Sequence, residues 1–576
     1  MARKVFVGID LGTSSCKLSI IDRRLDIKSS KVEEVEVPQY LDNHKWTEMG
    51  IPYLPSVVYF EREDLALVGQ YAAREMLMLH PDRAVRAIKR QMGRTWTYEP
   101  FEGTHWTPQG IAAILLHKLR ATAEDHLKET VTAAVITVPA SFDSRQREAT
   151  LDAAQLAGFR RDQVALLDEP SAAILDFVNR QMQRLDSYLD FEQPRIILVF
   201  DIGGGTLDVS IVRTEPAGGK LKLQIVARSR YTELAGYDFD LSVCAYLLNI
   251  FERGCKVSLA DLETRRQRAV LARLMAIAED LKKAISSRLR ESLVYLDDLT
   301  RLNDSEVYVD LEPQEISYGE EVIGVLPKLR LGYHRPFERL WAPFFDQSSE
   351  RVSAIYAPIR SALAEAFPDD PRPETRVDLV LQHGGMCLLL PIGAALRAYF
   401  PEQVRVMETP DLMQSVASGA AIYDAMRGSN EPGIFADIQM DTQPIFEAVF
   451  LERYRAGLQE IVPKAAVPGQ TEEYAIEVPD GAPSRLLLSL YHGFRADDPF
   501  VTLDREAAIR FEYPPKKGEK VYLCWRIKPN RDVEYWWRME GGEPRELINL
   551  STRGADLAAA TNLSSQQDQL RQLQIE

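Results

Sequence analysis

The sequence predicts an α/β fold in two similar lobes, followed by an all-β domain. Three observations predict it. Short β-branched runs alternate with long helical stretches over the first three quarters of the chain. A strand–turn–strand segment near the N-terminus has a matching unit near position 200. After about residue 437 the pattern changes to short apolar runs separated by Gly and Pro turns.

The α/β part spans residues 1–428. Lys4–Asp10, Ala134–Val138 and Arg195–Asp201 read as strands, and Pro108–Leu127 and Asp261–Ser287 as helices. Arg427-Gly428-Ser429-Asn430-Glu431-Pro432-Gly433 reads as a break, which places a linker over 429–436. In 437–550 the runs Leu486–Tyr491, Lys520–Lys528 and Val533–Met539 alternate with turn signals such as Pro468-Gly469 and Gly541-Gly542. That spacing predicts a β-sandwich. Trp536 and Trp537 are adjacent in a strand, so their rings point to opposite faces: one into the core and the other to a groove or an interface, or both into core on a two-sided strand. The tail, 551–576, is expected to hold one short helix.

Length and composition set the class. The chain has 576 residues, 45% of them hydrophobic and 27% charged, which is ordinary globular composition. Its net charge of −16 argues against a general nucleic-acid binder. The five cysteines, Cys16, Cys244, Cys255, Cys387 and Cys524, include no C-x-x-C pair and read as buried thiols of a reducing compartment. The longest apolar stretch, Met386–Leu396, is about half of what a bilayer needs. Asp10 interrupts the only N-terminal apolar segment, so no signal peptide is expected. A cytoplasmic protein without a membrane partner follows as the expectation.

The repeat carries the chemistry. When Asp10 is superposed on Asp201, Gly12 meets Gly203, Ser15 meets Thr206 and Ser19 meets Ser210. Each unit is a hairpin that ends a buried strand with a carboxylate and turns on Gly and hydroxyl residues. Glycines let backbone N–H groups approach an anion closely. Two such turns across a cleft would hold a nucleotide's phosphates from both sides, with the aspartates holding Mg²⁺ mostly through water. The chain has no G-x-x-x-x-G-K-[ST] and no G-x-G-x-x-G, so P-loop and dinucleotide readings fail.

The doubled hairpin resembles that of the actin/hexokinase/heat-shock ATPase superfamily, whose nucleotide domain is a duplicated ribonuclease-H-like fold. Further segments narrow the resemblance to the 70-kilodalton heat-shock, or DnaK-type, chaperones. They are Val135–Phe142, Asp168–Ala173, Ala87–Arg94, Leu234–Asp240, His383–Gly385 and Ser415–Ala421, in the family's order. The resemblance implies an ATP-hydrolysing chaperone with ATP/ADP and Mg²⁺ as cofactors. Asp10, Glu169 and Asp201 would organise Mg²⁺. Gly12, Thr13 and Ser14, with Gly203, Gly204 and Gly205, would hold the phosphates. Lys89 and Thr206 would position the attacking water and stabilise charge. Glu279, Lys282, Lys283 and Ser286 would clamp ribose and adenine, and Gly236, Gly384, Gly385 and Asp411 would line the remaining adenosine pocket. The implied partners are a polypeptide client or dedicated partner protein, a J-domain co-chaperone and a nucleotide-exchange factor. Without the hairpins, Lys89 would read as part of a solvated basic face and Asp411 as a helix-start acid.

The departures from the family are specific. Lys283 stands for an adenine-stacking arginine, and Leu388 is the nearest counterpart of the second one. Ala235 and Tyr237 replace glycine and glutamate. At the surface that links nucleotide state to partners, Ser141, Leu151, Ala165 and Asp168 replace the family's tyrosine, lysine, arginine and asparagine. Ile434-Phe435-Ala436-Asp437-Ile438 is the closest stand-in for the leucine-rich linker, and the family's long helical lid is not expected. These changes keep a second reading open: a scaffold that holds nucleotide with little turnover.

Overall fold

A computed structural model describes residues 3–576. It leaves out 25–30, 41–45, 184–189, 230–233, 294–298, 320, 349–353, 410, 429–434, 436–437, 441–444, 446, 454–456, 465, 479–483, 494, 498–500, 514, 517, 529–530 and 550–564. Most of the expected linker and the first part of the tail therefore lie outside the described residues. The chain forms two compact units. One comprises Met1–Phe142, Glu148–Gln439 and Gln569–Glu576, the other Asp143–Arg147 and Met440–Asp568.

The first unit is built on two sheets of matching topology. The first sheet orders Val164–Asp168, Ala134–Val138, Val5–Asp10, Ser15–Asp22 and Glu33–Glu34. The second orders Arg405–Glu408, Leu379–His383, Arg195–Ile202, Leu207–Ala217 and Lys220–Arg228, with Ile438–Met440 added at its edge. In each, the central strand runs parallel to two strands on one side and makes an antiparallel hairpin on the other. The parallel strands read as continuous apolar runs because both faces are covered. Val135, Ile136, Leu379 and Val380, for example, have no measurable exposure.

Helices follow from local signals. Pro108–Leu127 starts on Thr107, whose Oγ1 accepts from the Gly110 N–H at 3.2 Å, with Pro at the first turn. Ser415–Gly428 follows the second sheet in sequence, yet it packs on the first sheet and on the helix Glu169–Met182. Its small residues make this possible. A Cβ on Gly419 would stand 1.9 Å from the Ala172 carbonyl oxygen, and one on Gly8 would stand 2.2 Å from the Ala421 nitrogen. The Ser415–Ala421 segment thus records a close crossing onto the first lobe.

The second unit contains a five-stranded sheet, ordered Gly457–Val462, Ala448–Arg453, Arg485–Gly493, Thr502–Arg510 and Ile548–Asn549. A four-stranded sheet is ordered Thr471–Glu477, Lys520–Ile527, Val533–Met539 and Arg545–Glu546. Val449, Leu451, Leu488, Leu490 and Ile509 from the first share one core with Ile476, Leu523, Trp525 and Trp537 from the second. Trp537 is the core residue of its pair, and its Nε1 donates to the Glu546 carbonyl at 3.0 Å. Trp536 is half-buried on the other face.

The tail does more than its sequence suggests. Residues 565–572 are helical, and Gln574–Ile575 then forms a strand parallel to Leu65–Val68. Gln574 N–H donates to the Asp64 carbonyl and Val68 N–H to the Glu576 carbonyl, both at 2.8 Å. Leu573 joins the core of the first lobe. All five cysteines are free, and four of them are buried. Among the described residues no helix is long and apolar enough to cross a membrane.

Candidate functional site

The two hairpin turns meet. A Cβ on Gly204 would stand 1.9 Å from Ser14 Oγ, and one on Gly205 would stand 2.4 Å from Thr13 Oγ1. Only glycine lets the second turn lie so close against the hydroxyls of the first. The second turn is also tied to the start of the helix Gly236–Cys255. The Gly236 and Tyr237 N–H groups donate to the carbonyls of Gly203 and Gly204, both at 3.0 Å. The repeat read from sequence is therefore a pair of facing turns in space.

Acids and lysines collect beneath these turns. Asp10 ends one central strand, Asp201 stands one residue before the end of the equivalent strand, and both are buried. Glu169 opens the helix Glu169–Met182, and its carboxylate accepts from the buried Lys89 ammonium. A second ammonium is present: Lys17 donates to Asp10 Oδ2 at 2.9 Å, while Thr137 Oγ1 lies 3.3 Å from Asp10 Oδ1. Burial alone would raise the Asp10 carboxyl, but Lys17 and Lys89 outweigh it and hold it below the ordinary range. Burial pushes Glu169 up despite Lys89. Burial, then Glu169, Asp208 and Asp10, push Asp201 well above the ordinary value. Burial and then Glu169 raise Asp208 to about 7.

Asp208 is a site residue that the sequence reading missed. It stands directly across the second hairpin from Asp201, so strand register would have found it. Thr206 and Ser141 hydroxyls bond it, yet its buried Oδ2 has no partner among the described residues. This surplus of buried carboxylate over ammonium suits a divalent cation. Among the described residues no three His, Cys, Asp or Glu side chains converge to hold an ion directly. Such a donor set fits a Mg²⁺ ion held through its water shell.

The residues expected around the nucleoside are placed in two ways. On the helix Thr264–Leu293, Lys282 turns inward and donates to the Gly236 carbonyl at 3.2 Å and to Asp240 at 2.8 Å. Ser286 Oγ donates to the Leu388 carbonyl at 2.8 Å, joining this helix to the segment after Gly384-Gly385. Glu279 and Lys283 pair with each other at 2.7 Å, with Lys283 on the surface. Arg290, absent from the sequence reading, fixes the same segment through the carbonyls of Leu388 (2.7 Å) and Cys387 (3.1 Å) and through Glu408. Met386 packs on Gly236, and Met413 lies beside Gly385. Thioethers thus border Gly236 and Gly385. Asp411 accepts from the Met413 and Gln414 N–H groups at 2.9 and 3.0 Å, so it caps the turn before the crossing helix.

Two contacts join the lobes around this site. Arg90, next to Lys89, donates to the Gly205 carbonyl at 3.0 Å and lies 4.8 Å from the ring centre of Tyr237. Arg228 pairs with Asp168 and donates to the Ala140 carbonyl at 3.0 Å. Asp168 is wholly buried, which corrects the expectation that it adds a negative charge to a partner-docking surface. Leu151, expected on the same surface, is buried in the core of the first lobe.

Comparison with known proteins follows the same line. The family model described as "Hsp70 protein" matches residues 6–104 and 99–316, more than half of the chain. The chain belongs to the Hsp70 family. A relative, "Chaperone protein DnaK" of Picrophilus torridus, is 30% identical over 439 residues, which is 76% of this chain and 60% of the relative. The chain thus spans about 60% of the length of that curated Hsp70-type relative. The matched segments of this Hsp70-family chain contain both hairpins, Lys89 and Glu169.

Proposed function

We propose that this Hsp70-family chain is a slow ATPase of chaperone type. In this reading the facing turns bind MgATP, and the nucleotide state controls binding of a polypeptide client or dedicated partner by the β-sandwich unit. The observation that carries it is the meeting of Thr13 and Ser14 with Gly204 and Gly205 above Asp10, Asp201, Glu169 and Lys89.

Bound Mg²⁺ supplies charge that stabilises the leaving and transferring phosphates. The chain supplies position and further charge, which is most of what phosphoryl transfer asks of a protein. Gly203, Gly204, Gly205, Gly12, Thr13 and Ser14 hold the phosphates through backbone and hydroxyl donors. Lys89 stabilises charge on the transferred group, and Glu169 sets the ammonium's position. Thr206 orients the attacking water. Lys282 and Ser286 fix the walls that receive ribose and base. A cytoplasmic setting, a J-domain co-chaperone and an exchange factor belong to the same reading.

A scaffold that binds nucleotide with little turnover is the second reading. The observation that favours it is the buried Asp168–Arg228 pair, which ties the lobes together behind the site. ATP turnover with and without candidate clients separates the two. Turnover that rises with a client supports the chaperone. Stoichiometric ATP retention, unaffected by any client, supports the scaffold.

A further inference from the structure

Below their turns, the two hairpins differ in charge across the strands. In the second, Asp201 stands across the strands from Asp208, a carboxylate opposite a carboxylate. In the first, Asp10 stands across from Lys17. The repeat that duplicates the turns has therefore placed a cation where its partner carries an anion. Neither the family match nor the sequence reading gives Lys17 a role.

The Lys17 ammonium lies at the base of the first turn. It donates to Asp10 Oδ2, and both side chains are 9% exposed. The same oxygen lies 3.6 Å from the point where a Cβ on Gly12 would stand. The ammonium thus sits on the carboxylate oxygen that underlies the turn. Glu169 feels the charge of Lys17, Asp201 and Asp208 stand within reach of Glu169, and Lys89 is committed to Glu169; any of these carboxylates left ionised would repel a polyphosphate. A charge-assisted contact to an anion is among the stronger polar interactions a side chain can make.

The geometry points to Lys17 as a further phosphate-binding residue, which joins Lys89 in offsetting the site's carboxylates and holds the β- and γ-phosphates over the first turn. The inference rests on the nucleotide reading above and deepens it.

The test is a binding measurement on the full chain. Titration calorimetry compares MgATP, MgADP and adenosine on the wild type, Lys17→Met and Lys17→Arg. Lys17→Met is expected to weaken both nucleotides by about 10- to 100-fold, the effect of losing a charged hydrogen bond, with adenosine affinity unchanged. Lys17→Arg should keep most of the nucleotide affinity. Unchanged adenosine binding also shows that the variant is folded; if Lys17→Met fails to fold, Lys17→Gln takes its place in the same comparison. Equal MgATP affinity in wild type and charge-removed variant would overturn the inference, as would a gain of affinity, which would make Lys17 a plug on Asp10. A wild type that binds no adenine nucleotide would overturn the nucleotide reading and this inference together, whereas equal affinities would overturn this inference alone.

Discussion

Arg228, at the end of a second-lobe strand, forms a buried ion pair with Asp168, the last residue of a first-lobe strand. The arginine also holds the carbonyl of Ala140, and the residue after Asp168 is Glu169. One guanidinium therefore fixes the segment that delivers Glu169 to Lys89. Removing one member of such a pair leaves the other charge buried and costs about 3–5 kcal/mol, whereas removing both often costs far less. Arg228→Met and Asp168→Asn should each destabilise the protein by about that much, and the double variant by markedly less than their sum. Urea unfolding of the four proteins checks this.

Leu573 is 8% exposed in the first-lobe core, and the strand after it pairs with Leu65–Val68. Truncating a buried leucine costs about 2–5 kcal/mol. Leu573→Ala should lower first-unit stability by that order and speed hydrogen exchange at Val68, whose N–H bonds the Glu576 carbonyl. Exchange mass spectrometry reads this directly.

Asp240 beside Lys282 gives a pH dependence. Burial raises its carboxyl from 3.8 to about 6, with Lys282 opposing the rise. Its protonated form is favoured in the folded state, so ionised Asp240 penalises folding fully above pH 6. The penalty shrinks as pH falls from 6 to 3.8. Asp240→Asn removes the titration. Between pH 7 and pH 4 the stability difference should move in the wild type's favour by roughly 2–3 kcal/mol. Denaturation at both pH values measures it.

Leu388 and Lys283 stand where the resemblance implies two planar cations. Leu388 is 39% exposed, so an arginine fits there without entering the core. Stacking by a guanidinium is worth about 0.5–2 kcal/mol. Leu388→Arg should tighten MgADP several-fold and leave inorganic phosphate competition unchanged, a comparison made by titration.

Much of this molecule was legible in its sequence because the decisive features are local. Pro108–Leu127, Ala134–Val138 and Val533–Met539 follow from periodicity and turn residues and have the expected bounds. The paired turns were legible because the Asp, Gly and hydroxyl spacing occurs twice. What stayed hidden depends on residues far apart in the chain. Nothing near Arg228 or Asp168 announces their pairing across 60 positions. Gln574–Ile575 is too short to carry a strand signal, and its partner strand lies about 500 residues earlier. Asp208 lies inside the repeat, but only its cross-strand register with Asp201 gives it meaning.

The facing turns, with Lys89 buried against Glu169, are proposed as a hydrolytic site. Single-turnover ATP hydrolysis in Mg²⁺, measured beside nucleotide affinity for wild type and Lys89→Ala, tests it most directly. The wild type should convert bound ATP slowly but completely. The variant should convert it about 10²–10³-fold more slowly, with affinity largely retained. Equal rates in the two proteins, or a wild type whose bound ATP stays intact, would contradict it.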